Sequence, residues 1–316
     1  MSWVFLTEDR VYKLKKPMKR ALIDFRHADA RHDNCHEEVR LNRRLGGDIY
    51  LGVESLRLGA EGRLSLGGTG LAVDWLVVMK RLPESAMLKA RIEAGTLEEQ
   101  ALQRAAAVLS GFYRRARVIH LTAEQYRARL YKEVQSNQEA LSEYDLPNEQ
   151  LQRLTERQQA TLRSRPALFD CRAEQGMIVE AHGDLRPEHV CLIEPPVVID
   201  CLEFNRDLRI QDRVDELAFL AMECERLVSQ RDGSATNSEG VGVRVGDALF
   251  DEYTRETGDT PPVALVAFYK SYRAMVRAKL CAWHLDDDPQ QQRGRWLEKA
   301  QRYLDLAEGY SVQFSG

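Results

Sequence analysis

The chain has 316 residues, 44% hydrophobic and 30% charged, with a formal net charge of −4; that is enough for one large domain or two lobes, each with its own core, and it carries no basic footprint for nucleic acid. Six cysteines, at 35, 171, 191, 201, 224 and 281, form no C-x-x-C pair, so neither a structural zinc site nor a disulfide framework is expected. No run of about 18 apolar residues marks a membrane span, and the apolar start Trp3-Val4-Phe5-Leu6 is too short for a signal peptide, so the expectation is a soluble, cytoplasmic protein that engages neither membrane nor nucleic acid.

Residues 3–16 read as a hairpin. Residues 3–6 are one arm, Glu8-Asp9 the turn, and residues 10–16 the other arm, stopped by Pro17. Residues 30–45 read as a helix, with Glu38, Leu41 and Leu45 on one face at i, i+3, i+7. A β-rich region follows from Leu56 to Met79, and Gly67-Gly68-Thr69-Gly70 within it reads as a hairpin turn. Lys80-Arg81-Leu82 then ends at Pro83 and reads as a hinge. The stretch 97–165 is helical in composition, β signal returns at residues 177–179, residues 229–240 read as a polar loop, and the chain is helical from 244 onward. This gives an α+β, two-lobed organisation, a small β-rich lobe over residues 1–82 and a large helical lobe over residues 83–316.

His182-Gly183-Asp184-Leu185-Arg186-Pro187-Glu188-His189 follows the phosphotransfer loop pattern H-x-D-L-x-x-x-N, with His189 in the place of Asn. In such a loop the Asp accepts the proton of the attacking hydroxyl, and the residue five places later helps to hold a metal ion on the ATP phosphates. Two short β-rich runs, residues 190–193 and 197–199, flank Glu194-Pro195-Pro196 and read as a hairpin that ends at Asp200. Matched arms would set His189 and Asp200 side by side near Asp184.

With these residues in view the chain resembles the aminoglycoside phosphotransferase family, small-molecule kinases with a protein-kinase-like fold. The resemblance rests best on His182-Gly183-Asp184 and Ile199-Asp200. The stretch from Asp200 through Glu203-Phe204-Asn205 to Asp212 and Glu216 looks like a less characterised bacterial branch of it. The resemblance implies transfer of the ATP γ-phosphoryl group to the hydroxyl of a small molecule, with Mg²⁺ or Mn²⁺ as the metal. Asp184 is then the catalytic base, and Asp200, with His189 or a neighbour, the metal holder. Lys13 contacts the α/β-phosphates and Glu38 pairs with it, because a carboxylate on an apolar helix face needs a buried partner. Lys15 shares the strand face of Lys13 and competes for that role. The backbone of Lys80, Arg81 and Leu82 would bind adenine, and His182 packs to hold the loop. No glycine-rich phosphate loop is present, so the phosphate cover is expected before Val4 or at Thr7-Glu8-Asp9, with Met1 inside the lobe.

Other readings stand beside these. Without transfer activity the same residues describe a nucleotide-binding pseudokinase or scaffold, and a protein kinase is weaker for want of D-F-G and A-P-E. His189 either ligates, favouring Mn²⁺, or turns away and leaves Asp200 and waters to hold Mg²⁺; the second is preferred, since Mg²⁺ keeps several waters. Lys270, Arg273 and Arg277 at i, i+3, i+7 form either a solvated basic face or a clamp for an anionic substrate. Glu203, Asp207, Asp212, Asp215 and Glu216 suit a cationic one instead. Asp286-Asp287-Asp288-Pro289 reads as an exposed turn.

Overall fold

The computed structural model of the chain describes residues 2–20, 23–232, 241–287 and 292–314. In chain order it runs β1 (Ser2–Leu6), β2 (Arg10–Lys15), the two-residue strands β3 (Lys19–Arg20) and β4 (Ile23–Asp24), α1 (Ala28–Gly46), β5 (Tyr50–Leu58), β6 (Leu64–Leu66) and β7 (Leu71–Lys80). Helices α2 (Leu88–Glu93), α3 (Glu99–Arg115), α4 (Ala123–Leu141), α5 (Asn148–Ser164) and α6 (Ala167–Glu174) follow. Then come β8 (Ile178–Glu180), β9 (Val190–Cys191), β10 (Val197–Val198), β11 (Ile210–Asp212), α7 (Arg213–Asp232), α8 (Val241–Thr257), α9 (Val263–Asp287) and α10 (Arg293–Ser311). Among the described residues no helix is long and apolar enough to cross a membrane, and all six cysteines are free thiols.

The chain packs as two compact units, residues 1–114 with 182–209 and residues 115–181 with 210–316. The boundary expected after residue 82 falls inside the first unit. The reason is a long-range pairing: Leu192 N–H donates to Ala86 O at 2.7 Å, and Met87 bridges to Cys191. This ties the segment around β9 to the residues just beyond the anticipated hinge.

The first unit is built on a five-stranded antiparallel sheet in the order β1-β2-β7-β5-β6. Its opening hairpin closes without glycine, because the Thr7 hydroxyl accepts the Arg10 N–H at 3.0 Å and Thr7 N–H donates to Arg10 O at 2.9 Å. Lys13 lies opposite Val4 on one side and Val77 on the other, so β2 is a central strand. Helix α1 covers one face, burying Cys35 and Val39 against Ile49, Tyr50, Val77 and Met79. The glycine-rich segment 67–70 is the connection from β6 to β7, with Gly67, Gly68 and Gly70 at positive φ.

In the second unit β8 and β11 pair antiparallel, and the helices bury a core in which Leu151, Leu154, Met222, Met275, Tyr303 and Leu304 are almost wholly enclosed. Of the polar loop expected over 229–240, residues 229–232 belong to the end of α7, and residues 233–240 lie outside the described residues. Asp286 and Asp287 close α9, where Asp286 accepts the Tyr144 hydroxyl at 2.7 Å, whereas Asp288 and Pro289 lie outside the described residues.

The basic stripe on α9 is neither a solvated face nor an open clamp. Lys270 pairs with Glu225 at 2.5 Å, Arg273 with Asp215 at 2.5 Å, and Arg277 with Glu223 at 2.8 Å. Arg273 Nη2 also donates to Gln211 Oε1. Asp212 is taken by Arg172, which grips it through two nitrogens at 2.7 and 2.8 Å and holds Asp259 likewise. The cations are thus consumed as interior partners of α7 and β11. Removing one side of such a pair leaves the other charge buried alone, at a cost of about 3–5 kcal/mol. Arg273→Ala is therefore expected to lower the melting temperature sharply. A variant that melts like the parent and instead raises the KM of an acceptor would restore the clamp.

Candidate active site

The site is assembled within the first unit, from strand β2, helix α1, the loop 182–189 and the residues that follow β10. Alternation along β2 puts Lys13 and Lys15 on one face of the strand. Glu38 projects from the apolar side of α1 and is fully buried. Lys13 Nζ meets Glu38 Oε1 at 2.5 Å and Asp200 Oδ1 at 2.5 Å. Lys15 Nζ meets the other Glu38 oxygen and, at 2.5 Å, Glu203 Oε1. Five charges therefore alternate in sign from Asp200 through Lys13, Glu38 and Lys15 to Glu203.

Each partner shapes the ionisation of the next. Burial works against charge on Lys13, yet Glu38 and Asp200 outweigh it and hold the ammonium well above its usual range. Burial likewise opposes the Glu38 carboxylate, but the two lysines keep it lowered. Asp200 is held below the carboxylate range, because Lys13 and then His189 overcome its desolvation. Glu203 shifts the other way: burial raises it, Lys15 opposes, and the charge on Glu38 adds to the rise.

The loop 182–189 is fixed by its histidines. His182 Nε2 donates to Ile199 O at 2.9 Å, while its Nδ1 accepts the Asp184 N–H at 3.3 Å. Burial first, then His189, push its pKa down to about 3. His182 is thus a neutral strut. Gly183 has a φ of +91°, and a Cβ there would lie 3.1 Å from both Arg209 Cγ and Leu202 Cβ, so only glycine fits the turn that presents Asp184.

The hairpin of β9 and β10 pairs Cys191 with Val197 and Val190 with Val198. It is shorter than the two apolar runs, but Ile199 N–H still donates to His189 O at 2.9 Å. His189 and Asp200 consequently stand next to each other. Nδ1 of His189 faces Asp184 O at 2.7 Å, a carbonyl that can only accept, so Nδ1 carries a proton. Nε2 lies 3.5 Å from Asp200 Oδ2 and 3.2 Å from Arg186 Nη2. The Asp184 carbonyl thus orients the ring so that Nε2 faces the Asp200 carboxylate.

Arg186 is the participant that the sequence reading passed over. Its Nε lies 3.1 Å from Asp184 Oδ1, Nη1 2.7 Å from Glu188 and Nη2 3.2 Å from His189. A cation two residues beyond the proposed base was the available signal. Lys80, Arg81 and Leu82 are not drawn into this cluster. Lys80 lies opposite Arg10 in the β2–β7 register, at the end of β7. Arg81 donates its N–H to Asp9 O at 2.9 Å and its guanidinium to Thr7 O at 2.7 Å. Leu82 packs at the margin of the α1 core. Asp212, Asp215 and Glu216 belong to the second unit's interior.

No protein-family model matches the chain. Uncharacterised proteins of Mycobacterium tuberculosis and Mycobacterium bovis are each 33% identical to it over 282 residues, which cover 88% of this chain and 52% of theirs. The chain thus spans about half the length of the curated relatives it matches. Among solved structures, a glucosamine kinase in complex with glucosamine, ADP and inorganic phosphate superimposes with a TM-score of 0.54 at 15% identity, covering 98% of this chain and 75% of that one. A choline/ethanolamine kinase family protein from Mesorhizobium loti gives 0.53 at 12% identity, covering 99% and 89%. A Ralstonia eutropha JMP134 protein described as an aminoglycoside phosphotransferase gives 0.53 at 11%, covering 99% and 92%. At these identities the likeness shows the fold: α+β and protein-kinase-like, with a small β-rich part and a large helical part, as in small-molecule kinases.

Proposed function

We propose that this chain is a phosphotransferase that moves the γ-phosphoryl group of ATP to a hydroxyl of a small molecule. The observation that carries the reading is Lys13, whose ammonium bridges Glu38 and Asp200 beside the loop bearing Asp184. Phosphoryl transfer asks little covalent chemistry of a protein; it needs a base or orienter for the nucleophile and cations on the phosphates. Asp184 takes the acceptor proton. Lys13, fixed by Glu38, binds the phosphates. Adenine contacts fall to the backbone of Lys80 and Leu82, since the Arg81 amide is committed to Asp9 O.

Among the described residues no group of three or more His, Cys, Asp or Glu side chains is placed to hold a metal ion unaided. That donor set nevertheless fits Mg²⁺, which is commonly held by one or two carboxylates, phosphates and its own waters. Asp200 would hold it through the half-exposed carboxylate, with His189 Nε2 as the adjacent nitrogen donor. When bound, such a metal neutralises charge on the phosphates. The ADP-bound glucosamine kinase supports the nucleotide assignment. The test is ATP turnover with Mg²⁺ or Mn²⁺ across sugars, amino sugars, aminoglycosides and amino alcohols such as choline and ethanolamine. Turnover with one class establishes the reading. Nucleotide binding without turnover of any of them supports the alternative of a pseudokinase, which His189 in the place of Asn favours.

The direction of His189 yields a metal prediction. Imidazole suits later transition metals better than Mg²⁺, which prefers oxygen. The wild type is expected to work better with Mn²⁺ than with Mg²⁺, and His189→Asn is expected to shift the ratio of activities toward Mg²⁺. An unchanged Mn²⁺-to-Mg²⁺ ratio in the variant would remove His189 from the metal.

A further inference from the structure

The alternating charge chain contains a second lysine–glutamate pair that the phosphotransfer reading does not use. Lys15 is only 3% exposed in its side chain, and both its partners are buried or nearly so. Its ammonium is therefore not a phosphate contact. It joins α1, through Glu38, to the segment after β10, through Glu203.

That segment needs holding. Asp200 has a φ of +63° and is the one non-glycine residue with positive φ among those described, a conformation that persists only where the surroundings fix it. Its amide donates to the Tyr50 hydroxyl at 3.1 Å, the Cys201 amide to Asn42 Oδ1 at 2.8 Å, and the Leu202 amide to His182 O at 3.1 Å. The buried Arg209 guanidinium caps Leu202 O at 2.9 Å. These contacts engage the backbone. Glu203, three residues beyond Asp200, ties the same segment by its side chain to strand β2, which also carries Lys13.

We propose that Lys15 and Glu203 are positioning residues that pin the Asp200 loop to β2 and α1, and that Lys15 stays as the counter-ion of Glu38 when Lys13 turns to the phosphates. The inference rests on the phosphotransfer reading and deepens it. In a site with one lysine, Glu38 has a single cationic partner, shared with the nucleotide. Here each Glu38 oxygen has its own ammonium, so the carboxylate remains paired while Lys13 is drawn outward. The two roles act through Asp200 and Glu38, and neither residue touches the transferred group.

The experiment measures Mn²⁺ binding to the full chain in the presence of ADP, by the electron paramagnetic resonance of free Mn²⁺, for the wild type, Glu203→Gln, Lys15→Met and the double variant. Glu203→Gln keeps the shape of the side chain and guards against a Lys15→Met protein that fails to fold; melting curves monitor both. Loss of a residue that orients a metal ligand typically costs roughly 10–100-fold in metal affinity. Each single variant is expected to lose about that much Mn²⁺ affinity, to recover turnover at high Mn²⁺, and to bind metal-free ADP as the wild type does. The double variant is expected to be no worse than Lys15→Met, since the two residues act as one pair. A Glu203→Gln protein with wild-type Mn²⁺ affinity would overturn the proposal whatever its melting temperature, and would leave the phosphotransfer reading standing. A folded wild type that shows neither Mn²⁺-dependent ADP binding nor turnover would instead overturn that reading and the positioning role together.

Discussion

Asp184→Asn is expected to bind ATP as the parent chain does and to lose phosphoryl transfer by about 10²–10⁴ in kcat, the usual scale for removing a general base. The substitution is close to isosteric, and the main anchors of the loop that presents residue 184 do not use its side-chain charge. His182 is anchored on Ile199 O, Gly183 fills a turn with no room for a Cβ, and the His189 ring hangs on the backbone carbonyl of residue 184, which the change retains. The ion-paired set of Lys13, Glu38 and Asp200, proposed to face the phosphates, is also untouched. A fall in kcat without a change in ATP affinity is therefore the signature of the base itself. Steady-state kinetics with the acceptor found in the turnover screen, and calorimetric titration with ATP, separate the two quantities. If the variant turns over at the parent rate, the central role of Asp184 is gone. Arg186 adds a second readout. Its guanidinium faces the Asp184 carboxylate at 3.1 Å, and an amide in that place pairs with it more weakly.

What the chain disclosed before folding follows from the range of the forces involved. Loop 182–189, the short runs around Glu194-Pro195-Pro196 and the α1 face with Glu38 are set by local turn chemistry and by periodicity, both of which lie within a few residues of sequence. The adjacency of His189 and Asp200 comes from the same local source, since two short arms must bring their ends together. The alternation of β2 placed Lys13 and Lys15 on one face, but it left open which of them meets Asp200. That choice depends on where residues 200 and 203 lie in space, almost two hundred positions later. The basic stripe on α9 was misjudged for a related reason. Helical spacing shows that Lys270, Arg273 and Arg277 share a face, but only the packing of α7 shows that the face is interior. The unit boundary escaped because residues 86–87 pair with residues 191–192, a long-range contact with no compositional mark. The direction of the His189 ring was hidden too, being fixed by one backbone carbonyl.

Lys13→Ala is expected to lower kcat/KM by about 10²–10³, the scale for removing one preorganised donor from a developing anion, and to weaken ATP binding at saturating metal. Three features single out Lys13. It lies on a central strand opposite Val4 and Val77, so its position is fixed on both sides. Its ammonium touches the carboxylate proposed to hold the metal, whereas that of Lys15 touches Glu203. Its side chain is 14% exposed against 3% for Lys15, which leaves it the route to a ligand. The variant should nonetheless fold. Glu38 keeps Lys15 as its counter-ion, so no buried carboxylate is stranded, and the fall in melting temperature should be well below that of Arg273→Ala, where the partner is orphaned. Lys15, enclosed at 3% exposure, has no such route to the phosphates. The two lysines are thus told apart by metal. Excess Mn²⁺ should restore a Lys15→Met chain, whose defect lies in the placing of Asp200, and should leave Lys13→Ala impaired, whose defect lies on the phosphates. If excess metal rescues Lys13→Ala and leaves Lys15→Met with weak ATP binding, the roles are reversed and Lys15 is the phosphate lysine.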